Sequence, residues 1–173
     1  METAHTSSLF DKSHESSSAL SSGADSGQYL SLRLGSEEYA IDILRVQEIR
    51  SYEVPTKMVN SPSFVKGVIN LRGVIVPIVD LRLKLNLAKV EYNDFTVVII
   101  LNIRGMVVGA VVDGVSDVVT LNAQAIKPAP QFESALESRF IVGLATLGER
   151  MLIVMNMDAL MSNSEMGMMT AAL

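Results

Sequence analysis

Apolar and polar residues alternate along several short stretches of the chain, which is the period of half-buried β-strands. Residues 29–34 show this alternation, residues 35–38 form a turn, and residues 39–43 resume the extended pattern. Residues 43–49 fit either a short helix or a strand with a bulge. We favour a short helix or turn that leads into a strand near residues 48–52.

Two pairs of apolar runs predict β-hairpins. Residues 65–71 and 74–81 flank Arg72 and Gly73, a short turn between two strand-like segments. Residues 140–147 and 151–157 flank a second turn in the same way. The chain therefore closes each half with a hairpin.

The segment between these hairpins predicts a central strand. Residues 95–101 are apolar at nearly every position, so both faces of the strand are expected to be buried. Residues 102–105 turn the chain back into a second apolar run at 106–112. Many short strands separated by Gly and Pro turns predict a mostly-β fold, as a barrel or a sandwich.

A weak internal repeat predicts two lobes. Residues 43–49 match residues 112–118 in their apolar and acidic positions. Residues 64–71 match residues 140–147 in Phe, Gly and Leu. Because both blocks occur in the same order, we interpret them as a duplication that forms two small β-barrels packed together.

Composition divides the chain further. Residues 1–27 are rich in Ser and contain both histidines, His5 and His14, so they are interpreted as a disordered tail. A Met-rich segment ends the chain. The predicted parts are a tail at 1–27, a folded domain at 28–160 with lobes at about 39–93 and 94–160, strand 28–34 joining the second lobe, and a tail at 161–173.

The residue inventory excludes several kinds of chemistry. The chain has no Cys, and its folded region has no His, which removes thiolate nucleophiles, the usual catalytic triads and the usual zinc sites. The net charge of −5 argues against a nucleic-acid binder. No apolar run approaches the roughly 20 residues of a membrane span, so we expect a cytoplasmic protein without membrane insertion.

Few residues remain as candidates for a site. Asp113 and Asp117 are paired carboxylates, which could serve acid–base catalysis but are interpreted as parts of a solvated turn. Arg72 lies in a turn between two apolar strands, where it is either solvated or directed towards a partner, with Glu48 as its candidate intramolecular partner. The composition favours a binding module over an enzyme.

Four stretches of the chain carry a family resemblance: residues 38–50, residues 65–82, residues 92–94 with 111–118, and residues 126–130. The most specific part is Asn-Leu-Arg-Gly followed by Ile-Val-Pro-Ile-Val-Asp-Leu. Together these stretches resemble the CheW-like family of bacterial chemotaxis adaptors, and the resemblance covers roughly residues 28–160.

The resemblance implies two five-stranded SH3-like β-barrels with short helices, no catalysis and no cofactor or metal. It further implies a protein that couples the cytoplasmic tips of methyl-accepting chemoreceptors to the regulatory domain of the histidine kinase CheA, at membrane-associated receptor clusters. By position in the family, the receptor-binding residues are Val46, Glu48, Gly67, Arg72, Val115 and Val118, and the kinase or ring contacts are Lys127 and Phe132.

Two other functions remain open at this point. The chain could be a family member that serves a different chemosensory array. A small β-barrel that binds a ligand or nucleic acid is the second alternative, although only 5% of the residues are aromatic and none is Trp.

Overall fold

The computed structural model describes residues 26–87, 89–130 and 138–162. The predicted tails lie almost wholly outside these ranges. Two details at their borders differ from the prediction, because the first strand begins at Ser26 and Met161 is fully buried in the core. The strands are β1 (Ser26–Leu34), β2 (Glu37–Asp42), β3 (Val46–Ser51), β4 (Val65–Leu71), β5 (Val74–Asp80), β6 (Val97–Ile103), β7 (Met106–Val112), β8 (Gly114–Asn122), β9 (Ile126–Lys127), β10 (Ile141–Leu147) and β11 (Arg150–Met155).

Helical structure is confined to single turns. Residues Ile43–Arg45, Ala123–Ala125 and Ser138–Phe140 form 3₁₀ turns, and the α-helices are α1 (Leu81–Lys84) and α2 (Met157–Leu160). The turn at Ile43–Arg45 leads directly into β3, as the favoured interpretation of that segment predicted. No helix of the described residues has the length and apolar composition needed to cross a membrane.

The strands form two sheets, which confirms the mostly-β prediction. The first sheet has the order β8-β1-β2-β11-β10-β9, and the second has the order β3-β6-β7-β5-β4. Both predicted hairpins and the central position of β6 are confirmed by the strand pairing.

The edges of the two sheets are connected in different ways. In the first sheet the edge strands β8 and β9 are joined by the turn at Ala123–Ala125, and β9 pairs with β10. In the second sheet Thr56, which follows β3, exchanges backbone hydrogen bonds of 2.9 and 2.8 Å with Val68 of β4. This bridge pairs backbone groups at the edge of β4 that an open sheet would expose.

The first sheet contains β1, which was expected in the second lobe, and also β2, which falls mostly in the expected first lobe. The hairpin β1–β2 lies in the sheet of the later strands β8–β11, and the hairpin β6–β7 lies in the sheet of the earlier strands β3–β5. The first hairpin of each repeat, β1–β2 or β6–β7, therefore forms part of the barrel built mainly from the other repeat. Hydrophobic periodicity predicts the strands but carries no information about which distant strands pair, and that explains the difference.

The duplicated blocks occupy equivalent positions. Gly67 and Gly143 each follow a shift of register in their hairpin. The carbonyl oxygens of Phe64 and Phe140 each accept a 2.8 Å hydrogen bond from the residue that precedes a short helix. Such agreement in local irregularities supports the interpretation of a duplication.

The buried apolar residues form three clusters. One cluster lies inside each barrel, and the largest one combines strands of both sheets, so the lobes share a core. Members of the shared core include Leu32, Ile41, Leu81, Ile99, Leu101, Val112 and Leu160.

Candidate protein-interaction surface

The turn between β4 and β5 holds Arg72 in an uncommon conformation. Arg72 and Gly73 have φ angles of 51° and 88°, which is the pattern of a two-residue type I′ turn. The side chain of Asn70 accepts a 2.8 Å hydrogen bond from the backbone N–H of Gly73 and closes the turn. The arginine is therefore fixed at the hairpin tip rather than placed on a loose loop.

Arg72 pairs with Glu48, the partner that the sequence suggested. Its Nη2 donates a 2.7 Å hydrogen bond to Oε2 of Glu48 on β3, across the two edges of the second sheet. The side chain of Arg72 remains 66% exposed. Its Nε and Nη1 donate to no described residue, so these donors are available to a partner's carboxylate.

Apolar residues surround this ion pair. Val74 and Ile75 directly follow the turn and are 50% and 62% exposed. An arginine with free donors beside exposed aliphatic side chains is a combination suited to protein recognition.

The predicted valines lie on two different sheets. Val46 begins β3 and is half-buried against the core that the lobes share. Val115 on β8 is half-buried against the same core, and Val118 on β8 is exposed. The structure thus joins Glu48 with Arg72 directly, and it relates Val46 to Val115 through the shared core.

Gly67 has a role inside the barrel. It is buried, its φ is +142°, and a Cβ there would overlap the carbonyl oxygen of Thr56 and lie 2.6 Å from the carbonyl carbon. Gly67 therefore acts through its backbone, by letting the segment at Thr56 pack closely beside β4.

Of the two predicted kinase or ring contacts, only Lys127 lies within the described residues. Lys127 is an exposed residue of β9, at the edge of the first sheet. Phe132 lies outside the described residues.

The paired carboxylates Asp113 and Asp117 do not form an acid–base pair. Asp113 accepts hydrogen bonds from Arg82 (2.8 Å) and from the backbone N–H of Gly35 (2.7 Å). Asp117 instead accepts two bonds, of 3.1 and 2.8 Å, from Arg150. Since each carboxylate has its own arginine, both belong to structural ion pairs.

A buried network around Arg82 was not predicted from the sequence. Arg82 is fully buried and donates to both oxygens of Asp80, to Asp113 and to the carbonyl of Glu91. Burial alone would lower the pKa of Arg82, but its hydrogen bonds to the two carboxylates raise that pKa above its ordinary value. The Tyr92 hydroxyl donates to Asp80 at 2.6 Å and completes the network.

A second arginine network fastens the first sheet. Arg150 donates to Glu38 and Asp117 and also reaches the hydroxyl of Ser31. These hydrogen bonds lower the pKa of Glu38 and of Asp117 below their ordinary values. The repeat indicated that Asp117 is equivalent to Glu48 and could therefore pair with an arginine. Nothing in the sequence identified Arg150 as that arginine.

The described residues contain no cluster of the kind that holds a metal ion. Within residues 26–87, 89–130 and 138–162, no three His, Cys, Asp or Glu side chains are grouped as a metal ion would require. The two arginine networks are devoted to internal ion pairs, and the exposed apolar residues and Arg72 are the features suited to a partner.

Comparison with known proteins assigns the architecture. The family model described as CheW-like domain matches residues 28–165. The chemotaxis protein CheW of Klebsiella aerogenes is 54% identical over 141 residues, which are 82% of this chain and 85% of that protein. The probable chemotaxis protein CheW of Rhizobium etli is 36% identical over 138 residues, covering 80% of this chain and 89% of that protein.

A solved structure has the same fold. The scaffolding protein TtCheW of Thermoanaerobacter tengcongensis superimposes with a TM-score of 0.73 at 29% identity. The match covers 80% of this chain and 90% of that one, so it includes both sheets rather than one barrel.

Proposed function

Since the chain belongs to the CheW-like domain family, we propose that it is a non-enzymatic chemotaxis adaptor that couples methyl-accepting chemoreceptors to the histidine kinase CheA. The observation that carries this proposal is the Arg72–Glu48 pair, fixed at a hairpin tip with unused donors and exposed aliphatic neighbours. We expect the protein to act in the cytoplasm, at membrane-associated receptor clusters.

In this proposal the receptor tip docks beside the hairpin tip. A helical hairpin presents carboxylates and apolar residues on one face at a spacing of three to four positions. Arg72 would donate to such a carboxylate from Nη1 or from Nε, while Val46, Val115 and Val118 contribute apolar contacts. Gly67 supports the surface from within the barrel.

The kinase contact is assigned to another part of the molecule. Lys127 on β9 and Phe132 beyond it form this second contact with the regulatory domain of CheA. One small protein then holds two partners, and repeated contacts in an array raise the effective concentration even where each contact is modest.

The experiment is the charge reversal Arg72→Glu, with Arg104→Glu as its matched control. Arg104 occupies the same turn motif, in which Asn102 accepts a 2.9 Å hydrogen bond from the N–H of Gly105, and its φ of 53° resembles that of Arg72. Co-sedimentation with receptor-containing membranes should weaken by about tenfold or more in Arg72→Glu, or roughly 1.4 kcal/mol.

Receptor-controlled autophosphorylation of CheA should fall in parallel. The melting temperature of both variants should stay near that of the wild type, because both arginines are exposed. Equal receptor binding by Arg72→Glu and Arg104→Glu would contradict the assignment of this surface.

A further inference from the structure

The backbone of β9 lies directly against Gly143 of its neighbouring strand β10. Gly143 is buried, and a Cβ there would overlap the carbonyl oxygen of Lys127 and lie 3.1 Å from its carbonyl carbon. The same Cβ would lie 2.8 Å from Cγ2 of Ile126. Since two of these three atoms belong to the backbone, no change of rotamer can make room.

The position of strand β9 depends strongly on its close packing against Gly143. It contains only Ile126 and Lys127, which pair with Ala145 and Leu144 of β10. Pro128 follows at once and lacks the backbone N–H that could extend the ladder. A displacement at Gly143 is therefore transmitted to Lys127 rather than absorbed by a longer strand.

The other barrel repeats the arrangement. Gly67 is the counterpart of Gly143 in the repeat, and a Cβ there would meet the backbone of Thr56, the residue that closes the second sheet. In each barrel a glycine therefore allows a neighbouring segment to pack closely: the segment at Thr56 beside Gly67, and β9 beside Gly143. In the first barrel that segment carries Lys127.

We propose that Gly143 is a positioning residue for the contact that the protein makes through Lys127. Gly143 lies beside the backbone of β9 and touches no partner itself. Its missing side chain sets how closely β9 packs on β10, and hence where the ammonium group of Lys127 lies. This inference rests on the kinase contact assigned to Lys127 above.

The test compares three variants in binding to the isolated regulatory domain of CheA and to receptor-containing membranes. Gly143→Ala should weaken kinase binding by about fivefold or more, near 1 kcal/mol, and leave receptor binding within about twofold of the wild type. Gly109→Ala is the control, because a Cβ at Gly109 meets Ile78 Cδ1 at 2.6 Å and Val98 Cγ1 at 2.9 Å inside the other barrel.

Gly109→Ala therefore disturbs packing without touching β9, and it should leave kinase binding close to the wild type at temperatures where it is folded. A purely structural role for Gly143 predicts that both variants lose affinity in proportion to their loss of melting temperature. That result would overturn the proposal.

The third variant, Lys127→Glu, separates the inference from the function on which it rests. If Lys127→Glu binds the kinase domain as the wild type does, the assigned contact itself is wrong. If Lys127→Glu loses affinity and Gly143→Ala does not, the contact stands and the positioning role is wrong.

Hydrogen exchange supplies a direct readout of the strand. The amides of β9 should exchange faster in Gly143→Ala than in Gly109→Ala. If Gly143→Ala is too unstable for binding measurements, Pro128→Gly loosens the exposed end of β9 without adding atoms beside it. Faster exchange in that variant with unchanged kinase affinity would overturn the proposal.

Discussion

Each barrel has an arginine at a hairpin that pairs with carboxylates on other strands, but the two ion pairs are built differently. Arg72 lies in the turn itself, whereas Arg150 is the first residue of β11. Arg72 donates one hydrogen bond, to Glu48. Arg150 uses all three of its nitrogens, towards Glu38, Asp117 and Ser31. The side chain of Arg72 is 66% exposed, whereas that of Arg150 is 35% exposed.

Under the proposed function, this difference distinguishes an arginine that binds a partner, Arg72, from one that stabilises the fold, Arg150. The guanidinium of Arg150 directs Nε and both terminal nitrogens at internal acceptors, so most of its five N–H donors are used inside the molecule. The guanidinium of Arg72 uses only Nη2, so its Nε and Nη1 donors remain for a partner's acceptors. We infer that the duplicated carboxylate, Glu48 in one barrel and Asp117 in the other, fixes a recognition arginine in one case and a structural arginine in the other.

The largest difference in stability is expected between Arg150→Met and Arg72→Met. Arg150→Met removes charge-assisted hydrogen bonds to two carboxylates and should lower the free energy of unfolding by clearly more than Arg72→Met does, although solvent screens part of the effect. Arg72→Met should change it by less than about 0.5 kcal/mol. Denaturant unfolding at neutral pH measures both, and equal losses would show that Arg72 fastens its barrel as Arg150 does.

A smaller difference is expected in the dependence on pH. Because Arg150 lowers the pKa of Glu38 and Asp117 in the folded protein, the resulting stabilisation is complete above the unfolded pKa values, about 4.3 and 3.9. It is lost as the pH falls through the lower folded values. The free energy of unfolding should therefore decrease more steeply below about pH 4 in the wild type than in Arg150→Met.

Arg72→Met retains the Arg150 network and should follow the wild-type curve. Unfolding series from pH 7 to about pH 3 would measure the three slopes. Parallel curves for the wild type and Arg150→Met would mean that the network contributes no differential proton binding.

The sequence predicted the local structure around Arg72 well. A two-residue turn between apolar runs placed Arg72, and Glu48 was suggested as its partner because the preceding strand could pack on the hairpin. The structure confirms this contact at 2.7 Å. Local patterning succeeded here because both residues lie in one barrel, within 24 positions of each other.

The fastening network could not be predicted in the same way. Arg150 contacts Glu38 across 112 positions, and the pairing depends on β2 lying in the barrel of the other repeat. From the sequence, this was expected only of the strand at residues 28–34. The burial of Arg82 could not be predicted from the sequence either. A buried charge depends on partners such as Asp113, which only the tertiary fold brings close. Exchange of hairpins between repeats is a choice of long-range pairing, and periodicity does not encode it.

The smallest expected effect concerns the Arg72–Glu48 pair itself. A double-mutant cycle with Arg72→Met and Glu48→Gln should give a coupling energy in unfolding of about 0.2–1 kcal/mol, as for other exposed pairs. Added salt should reduce it further, because the Debye length shrinks to roughly 3 Å at 1 M. A coupling energy as large as that of a buried ion pair would show that Arg72 stabilises the fold as Arg150 does. A weak coupling leaves the turn, through Asn70 and the φ of Arg72, as what holds the arginine in place, so that Glu48 can release it to a partner at little energetic cost.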